Sequence, residues 1–503
     1  MSVLSELQNG SDIRGVAISH EEFRANLTQV EAKEIATGII AWLRQAKQIK
    51  TSPLKIAIGH DSRLSAKEIK DGLIASFLKE DVLVFDAELA TTPAMFMATQ
   101  FSEFGADCGI MITASHLPFY YNGIKLFTKS GGAEHEDIDY ILANTTSFDE
   151  KESDKGRVEK KEIISLYAED MVKKIQKETE DKQPLKGFHI VLDAGNGAGG
   201  FFAEKVLSEL GANTTGSQFL EPDGRFPNHI PNPDNKEAMA SIKQAVLANT
   251  ADLGVIFDTD VDRAAVVDKS GQVINRNSLI AVLAQIVLEN EKDQTIVTNS
   301  PTSSHLKDFI EDLGGKQVRY LCGYRNVINK AIELNEEGIE TPLAIETSGH
   351  AAFKENYFLD DGAYVIAKIL MLLPKLKKEG KSIGELIEKL KQPAEAQEVR
   401  FKISGDNYRV YGNDVIKELA DFVDAASGFS VDPENEEGIR VNVSDNYGSG
   451  WFLLRMSLHE PLLVLQVEND VVDKNKLVFT KLSEFFTQKG RLNTEKLSAV
   501  LGQ

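Results

Sequence analysis

Residues 189–196 read HIVLDAGN: a short apolar, β-branched run meets a small polar loop, and an amphipathic helical pattern follows. That is the grammar of a strand–loop–helix unit in an α/β layer. Working outward, the same grammar opens KIAIGHDS at residues 55–62 and TIVTNSPT at residues 295–302. The three units start at residues 55, 189 and 295, intervals of 134 and 106 residues. Such intervals are domain-sized and too long for a solenoid repeat. They predict three α/β domains in tandem. Beyond them, a helix over residues 415–426 and strands over 451–455 and 462–467 predict a smaller α+β domain. Charge-rich connectors set the expected boundaries at 1–160, 161–271, 272–392 and 393–503. The first connector carries Ile164, Tyr167, Met171 and Ile175 at helical spacing, one apolar stripe on an otherwise polar helix. Two Pro-rich stretches, residues 221–233 and Thr91-Thr92-Pro93, read as rigid connectors.

The 503 residues suit about three to five domains. Fifty-six basic against 77 acidic residues give a net charge of −21, which argues against a general nucleic-acid binder. Any anionic ligand must therefore be met locally, by a few converging Arg and Lys side chains or by a metal. Two cysteines, Cys108 and Cys322, exclude a disulfide framework and fit a reducing cytoplasm as buried thiols. No signal-peptide pattern opens the chain and no apolar run reaches the length of a membrane span, so a cytoplasmic protein without membrane partners is expected. Oligomeric state is not legible.

Asp258-Thr259-Asp260-Val261-Asp262-Arg263 follows the apolar run 253–257. Three carboxylates at alternate positions converge on one hard cation, and oxygen donors select Mg²⁺ or Ca²⁺ over Zn²⁺. A calcium-binding EF-hand loop would need Gly at the sixth place and Glu at the twelfth; Arg263 and Lys269 stand there. The competing reading is a solvated acidic turn. Arg263 suits an anionic oxygen beside the metal.

Thr113-Ala114-Ser115-His116-Leu117-Pro118 follows another apolar run, with Asn122, Gly123 and Lys125 beyond. A hydroxyl on such a turn is expected to be well exposed, with His116 as proton partner and Lys125 as cation. The G-x-S-x-G elbow of hydrolases is absent, so Ser115 reads better as a phosphate carrier; alone, it also reads as an ordinary Ser-rich turn. Glu346-Thr347-Ser348-Gly349-His350 pairs Glu346 and Ser348 as partners for vicinal hydroxyls, with His350 able to move a proton near neutral pH, or forms a helix-capping turn. Arg455-Met456-Ser457-Leu458-His459-Glu460-Pro461 is an anion loop or a simple hairpin. Asp12-Ile13-Arg14-Gly15 sets Arg14 beside a flexible Gly.

In this order the segments resemble the α-D-phosphohexomutases: phosphoglucomutase, phosphomannomutase and phosphoglucosamine mutase. Residues 113–125 resemble the phosphoserine loop, 258–263 the metal loop, 345–350 the sugar loop and 455–461 the phosphate loop; 11–15, 59–63, 192–199 and 222–233 are also similar to family segments. Leu117 replaces the usual Asn, Ile345 a Gly and His459 a Thr, and Arg325 in Gly323-Tyr324-Arg325 stands where Lys is common. Gly450-Trp451 is similar to phosphomannomutase/phosphoglucomutase members, whereas NGIKLF at 122–127 is similar to phosphoglucosamine mutases and some phosphomannomutases.

The resemblance implies four domains around a central cleft and a phosphomannomutase/phosphoglucomutase, with phosphoglucosamine mutase as the alternative. A phosphorylated Ser115 would exchange its phosphoryl group with a hexose phosphate through a hexose 1,6-bisphosphate. Ser115, Asp258, Asp260 and Asp262 would hold Mg²⁺. Ser115, His116, Lys125, Arg14 and His350 would be catalytic. Arg263, Tyr324, Arg325, Glu346, Ser348, Arg455, Ser457 and His459 would bind substrate. More distant rivals are an aspartyl-phosphate phosphatase using Asp258 and Asp260, and a non-catalytic sugar-phosphate sensor.

Overall fold

The apolar runs that open KIAIGHDS, HIVLDAGN and TIVTNSPT fall in the largely buried strands Leu54–His60, Ile190–Asp193 and Thr295–Asn299, because each offers two apolar faces that only helices or neighbouring strands can cover. The computed structural model describes residues 3–151, 153–289, 291–458 and 460–502. Its chain divides into two compact units, residues 1–279 with 348–386, and residues 280–347 with 387–503.

The first unit opens with a mixed sheet. Its strands run Gln8–Asn9, Asp12–Val16, Tyr121–Thr128, Cys108–Ile112, Leu54–His60, Val82–Leu89 and Arg157–Lys160 in spatial order. Leu54–His60 is parallel to both of its neighbours, whereas Tyr121–Thr128 runs antiparallel to Cys108–Ile112. The helices Gln29–Ala41 and Ala66–Phe77 share a core with this sheet, burying Ile35, Trp42, Ile56, Leu73, Phe77 and Ile110. A second sheet follows: Val273–Ile274, Ala264–Asp268, Leu253–Phe257 and Ile190–Asp193, with the last two parallel and a hairpin joining Leu253–Phe257 to Ala264–Asp268. The expected amphipathic helix is Ile164–Thr179, and its stripe of Ile164, Tyr167, Met171 and Ile175 is buried. The hairpin Ala351–Phe353 with Leu359–Asp360 and the helix Gly362–Glu379 belong to the same unit.

Thr91-Thr92-Pro93 corrects one expectation. It begins the helix Thr92–Met97, with Thr91 as the cap accepting from Ala94 N at 3.2 Å. Pro93 sits in the first turn, where a missing N–H costs nothing and the fixed φ suits the helix.

In the second unit, strand Thr295–Asn299 lies parallel to Lys316–Tyr320 and Leu343–Ile345, flanked by helices Ser304–Asp312 and Tyr324–Glu336. An antiparallel sheet follows in the order Glu395–Lys402, Leu462–Asn469, Gly450–Met456, Ile439–Val443, Phe429–Val431. Helices Tyr408–Asp424 and Lys474–Phe486 share its core through Val415, Leu419 and Phe479. The buried Arg440 ties the two parts: it donates to Ser300 O (3.1 Å) and Thr302 O (3.0 Å), and lies 3.6 Å over the Trp451 ring.

Candidate active site

Residues 258–263 are the turn of the hairpin that joins Leu253–Phe257 to Ala264–Asp268. Asp258, Asp260 and Asp262 are fully buried, and one oxygen of each lies within 4.8 Å of the others. The turn is closed by Asp258 N donating to Arg263 O at 3.2 Å. Val261, also fully buried, has φ of 68°, a left-handed conformation that is costly for a β-branched residue. Gly362 N holds it there by donating to Val261 O at 3.0 Å, and a side chain on Gly362 would meet the Arg263 backbone at 2.7 Å.

The phosphoserine-like loop follows strand Cys108–Ile112 and meets this turn. Ser115 Oγ donates to Asp258 Oδ2 (2.9 Å) and accepts from Arg263 Nη2 (2.9 Å). Ser115 is only 2% exposed, so the expectation of an open hydroxyl is corrected: the metal-like turn closes over it. Arg263 Nη2 also donates to His116 Nδ1 at 2.6 Å. That bond requires a bare Nδ1, so His116 is a neutral ring with its proton on Nε2. Arg263 chiefly, then burial, pushes the His116 pKa down to about 2. Ser115 Oγ, 3.4 Å from the same Nδ1, is thus turned toward Asp258.

Lys125, on strand Tyr121–Thr128, reaches Asp262 Oδ2 at 2.5 Å and Asp260 Oδ2 at 3.4 Å. Burial pushes the Asp258 carboxyl up, and the nearby Asp262 and Asp260 charges add to it; Asp262 is held below the usual carboxylate range because Lys125, His350 and Arg263 outweigh its burial. Arg14, on strand Asp12–Val16, pairs with Asp12 at 2.9 Å. His350 Nδ1 lies 2.5 Å from Asp360 Oδ2; burial opposes its charge, but Asp360 and Asp262 overcome this and raise its pKa.

Several residues of this site carried no site assignment in the sequence reading. Arg63 donates to the carbonyls of Ser115, Leu117, Pro118 (2.9 Å) and Tyr121 (2.9 Å), so one guanidinium shapes the whole serine loop. Asp61 accepts from Thr113 Oγ1 at 2.7 Å, and Thr113 Oγ1 accepts from Ser115 N at 2.9 Å. Asp360, Thr92 and Asn232, the last 3.3 Å from Arg263 Nη1, join them. Asp61, Arg63 and Asn232 lie in segments 59–63 and 222–233, which are similar to family segments but carry no assigned role, and Thr92 reads in sequence only as part of a connector; each meets the site from a distant part of the chain.

The donor set fits a hard divalent cation. Asp260 Oδ1 and Asp262 Oδ1 are buried without a hydrogen-bond partner, and the cluster of Asp258, Asp260 and Asp262 is all oxygen.

Ser348, half-buried on its turn, belongs to the first unit. In the second unit, Glu346 Oε1 accepts from Gly323 N at 2.7 Å, at the start of the helix that carries Tyr324 and Arg325. Arg325 donates to Asn329 at 3.0 Å. Leu458 packs by Gly323, 3.4 Å from where a side chain would begin, so the loop after strand Gly450–Met456 adjoins Tyr324 and Arg325. Arg455 Nε is buried without a hydrogen-bond partner and lies 3.9 Å from Glu437. Ser457 N donates to Leu462 O at 2.9 Å, closing the hairpin. His459 lies outside the described residues.

Residues 5–152, 165–271 and 275–393 match the models of phosphoglucomutase/phosphomannomutase alpha/beta/alpha domains I, II and III. The chain belongs to the phosphoglucomutase/phosphomannomutase family. Members of this α-D-phosphohexomutase family are phosphomutases, which are isomerases. A phosphoglucomutase of Neisseria gonorrhoeae is 31% identical over 93% of this chain and 94% of its own. A phosphoglucomutase/phosphomannomutase of Thermococcus kodakarensis is 32% identical over 81% and 84%. The crystal structure of a family protein from Burkholderia thailandensis superposes with a TM-score of 0.77 at 25% identity, covering 96% of this chain and 97% of that one. The fold is therefore three tandem α/β domains with a further helix-and-sheet region, and a sugar phosphate is the kind of substrate that the family implies.

Proposed function

We propose that the protein interconverts hexose 1-phosphates and hexose 6-phosphates, as a phosphomannomutase/phosphoglucomutase, by way of phosphorylated Ser115 and a hexose 1,6-bisphosphate. The observation that carries this is Ser115 Oγ, bonded to both Asp258 and Arg263 beside a buried three-carboxylate cluster. In the forward half, the P–O bond to Ser115 breaks as a bond forms to the free sugar hydroxyl; that hydroxyl gives up its proton and Ser115 Oγ takes one up. In the return half, Ser115 Oγ gives up its proton as the other phosphate passes to it, and the sugar oxygen released regains a proton.

Arg263 and Lys125 would offset charge on the phosphoryl oxygens, and Arg14 would add to that field. His350, fixed through Nδ1 by Asp360, leaves Nε2 to exchange the proton. His116, neutral and accepting from Arg263, would orient that guanidinium. Asp258, Asp260, Asp262 and the phosphorylated Ser115 would hold Mg²⁺, which supplies Lewis-acid stabilisation of phosphoryl charge. Glu346, Ser348, Tyr324 and Arg325 would bind the sugar. Arg455, whose buried Nε makes no hydrogen bond, would hold the phosphate that does not react, together with Ser457 and His459.

Domain limits at 1–160, 161–271 and 272–392 suit the three matched segments, and 393–503 would be the remaining helix-and-sheet domain. No helix among the described residues is long and apolar enough to cross a membrane.

The test is Ser115→Ala against Asp258→Asn on glucose, mannose and glucosamine 1-phosphates. Ser115→Ala should lose nearly all mutase turnover while keeping its fold, and wild-type turnover in Ser115→Ala on any of the three refutes the phosphoserine route. Phosphate release that survives in Ser115→Ala and dies in Asp258→Asn would point to the phosphatase.

A further inference from the structure

We propose that Thr92 is a positioning residue for Asp260, deciding which of its two carboxylate oxygens is presented to the cation. The inference rests on the metal reading above. Thr92 belongs to the Thr91-Thr92-Pro93 motif and lies 168 residues from Asp260 in sequence. It grips Asp260 twice: Thr92 N donates to Asp260 O at 2.9 Å, and Thr92 Oγ1 donates to Asp260 Oδ2 at 2.5 Å. Two bonds from one residue to the backbone and side chain of another fix both the position of Asp260 and its carboxylate rotation.

The consequence shows in the other oxygen. Asp260 Oδ1 is buried and has no hydrogen-bond partner, while Oδ2 is taken by Thr92 and lies 3.4 Å from Lys125. A buried carboxylate oxygen with nothing to accept from is costly unless a cation meets it. Asp262 shows the same division, with Lys125 on Oδ2 and Oδ1 left without a hydrogen bond. For Asp260 the close partner is a neutral hydroxyl. A hydroxyl orients the carboxylate without adding a positive charge of its own, so Lys125 at 3.4 Å is the nearest cation that competes for this carboxylate.

Thr92 is itself held rigidly. It is buried, sits in the first turn of helix Thr92–Met97 between the capping Thr91 and Pro93, and has a β-branched side chain with few χ1 choices. A merely structural latch between this helix and the 258–263 turn would need the same bonds, so the test must read metal affinity apart from folding.

The probe is Mn²⁺, whose binding to the metal-free protein is followed by electron paramagnetic resonance on wild type, Thr92→Val, Thr92→Ala and Thr92→Ser. Circular dichroism melts without metal monitor folding. Thr92→Val and Thr92→Ala should bind Mn²⁺ about 10- to 100-fold more weakly, the usual range for loss of a partner that orients a metal ligand. Thr92→Ser, which keeps the hydroxyl, should restore wild-type affinity. Wild-type affinity in folded Thr92→Val or Thr92→Ala, or a Thr92→Ser as weak as Thr92→Val, overturns the proposal. So does misfolding of both hydroxyl-less variants, which would make Thr92 a latch. A wild type that binds no Mn²⁺ refutes the metal reading itself, and the inference falls with it.

Discussion

Replacing Arg263 by Met should release His116 from its fixed neutral state. In the native site, Arg263 Nη2 lies 2.6 Å from His116 Nδ1, and Arg263 is the largest cause holding the His116 pKa at about 2. With charge centres roughly 4 Å apart and an effective dielectric of about 20, the repulsion between Arg263 and a protonated His116 is about 4 kcal/mol. At about 1.4 kcal/mol per pKa unit this is about three units, so His116 should titrate near pH ~5 in Arg263→Met. Burial, Arg14 and His350 still hold it below the ordinary value of 6.5. The assay is the ¹³Cε1 shift of His116 against pH by NMR in metal-free protein, with His116→Gln to assign the signal. The same group has a stability signature. Between pH 6.5 and about 2 the unfolded chain takes up a proton that folded His116 refuses, so this residue's contribution falls as pH drops through that window. In Arg263→Met the fall should end near the new pKa. A wild-type His116 titrating near 6.5, or an identical titration in Arg263→Met, would refute the neutral-acceptor geometry.

Arg455→Ala should raise KM about ten- to a hundredfold with little change in kcat, since one charge-assisted hydrogen bond to a non-reacting phosphate is worth about 1.5–3 kcal/mol in ground and transition states alike. Steady-state kinetics decide it, and a fall in kcat at constant KM would move Arg455 to the reacting centre. Excess EDTA should reduce turnover to background and added Mg²⁺ should restore it, because the buried cluster offers only carboxylate oxygen; full activity in chelator would remove the metal from the chemistry.

Much of this molecule is legible along the chain because the physics involved is local. An apolar run bounded by small polar residues becomes a strand wherever both faces can be covered, and Leu253–Phe257 and Cys108–Ile112 lie where the pattern of residues sets them. Asp258, Asp260 and Asp262 converge because alternate positions of one tight turn cannot separate far. The stripe of Ile164, Tyr167, Met171 and Ile175 needs only the 3.6-residue period to define its buried side.

The order of the strand–loop–helix units, and which loops carry charge and hydroxyl groups, are written in the chain, since these follow from neighbours a few residues apart. Which groups pair follows only from the folded arrangement. His116 stands next to Ser115 in the chain, yet Ser115 donates to Asp258, 143 residues away, because Arg263 occupies the His116 lone pair. Thr92 reads locally as part of a stiff connector, but becomes the partner of Asp260 once the helix it begins meets the hairpin turn. Arg63 is one Arg among many until four carbonyls of the serine loop fold around it. A hydrogen bond depends on distances of about 3 Å, and between residues more than a hundred positions apart only the packing of whole sheets and helices sets such distances.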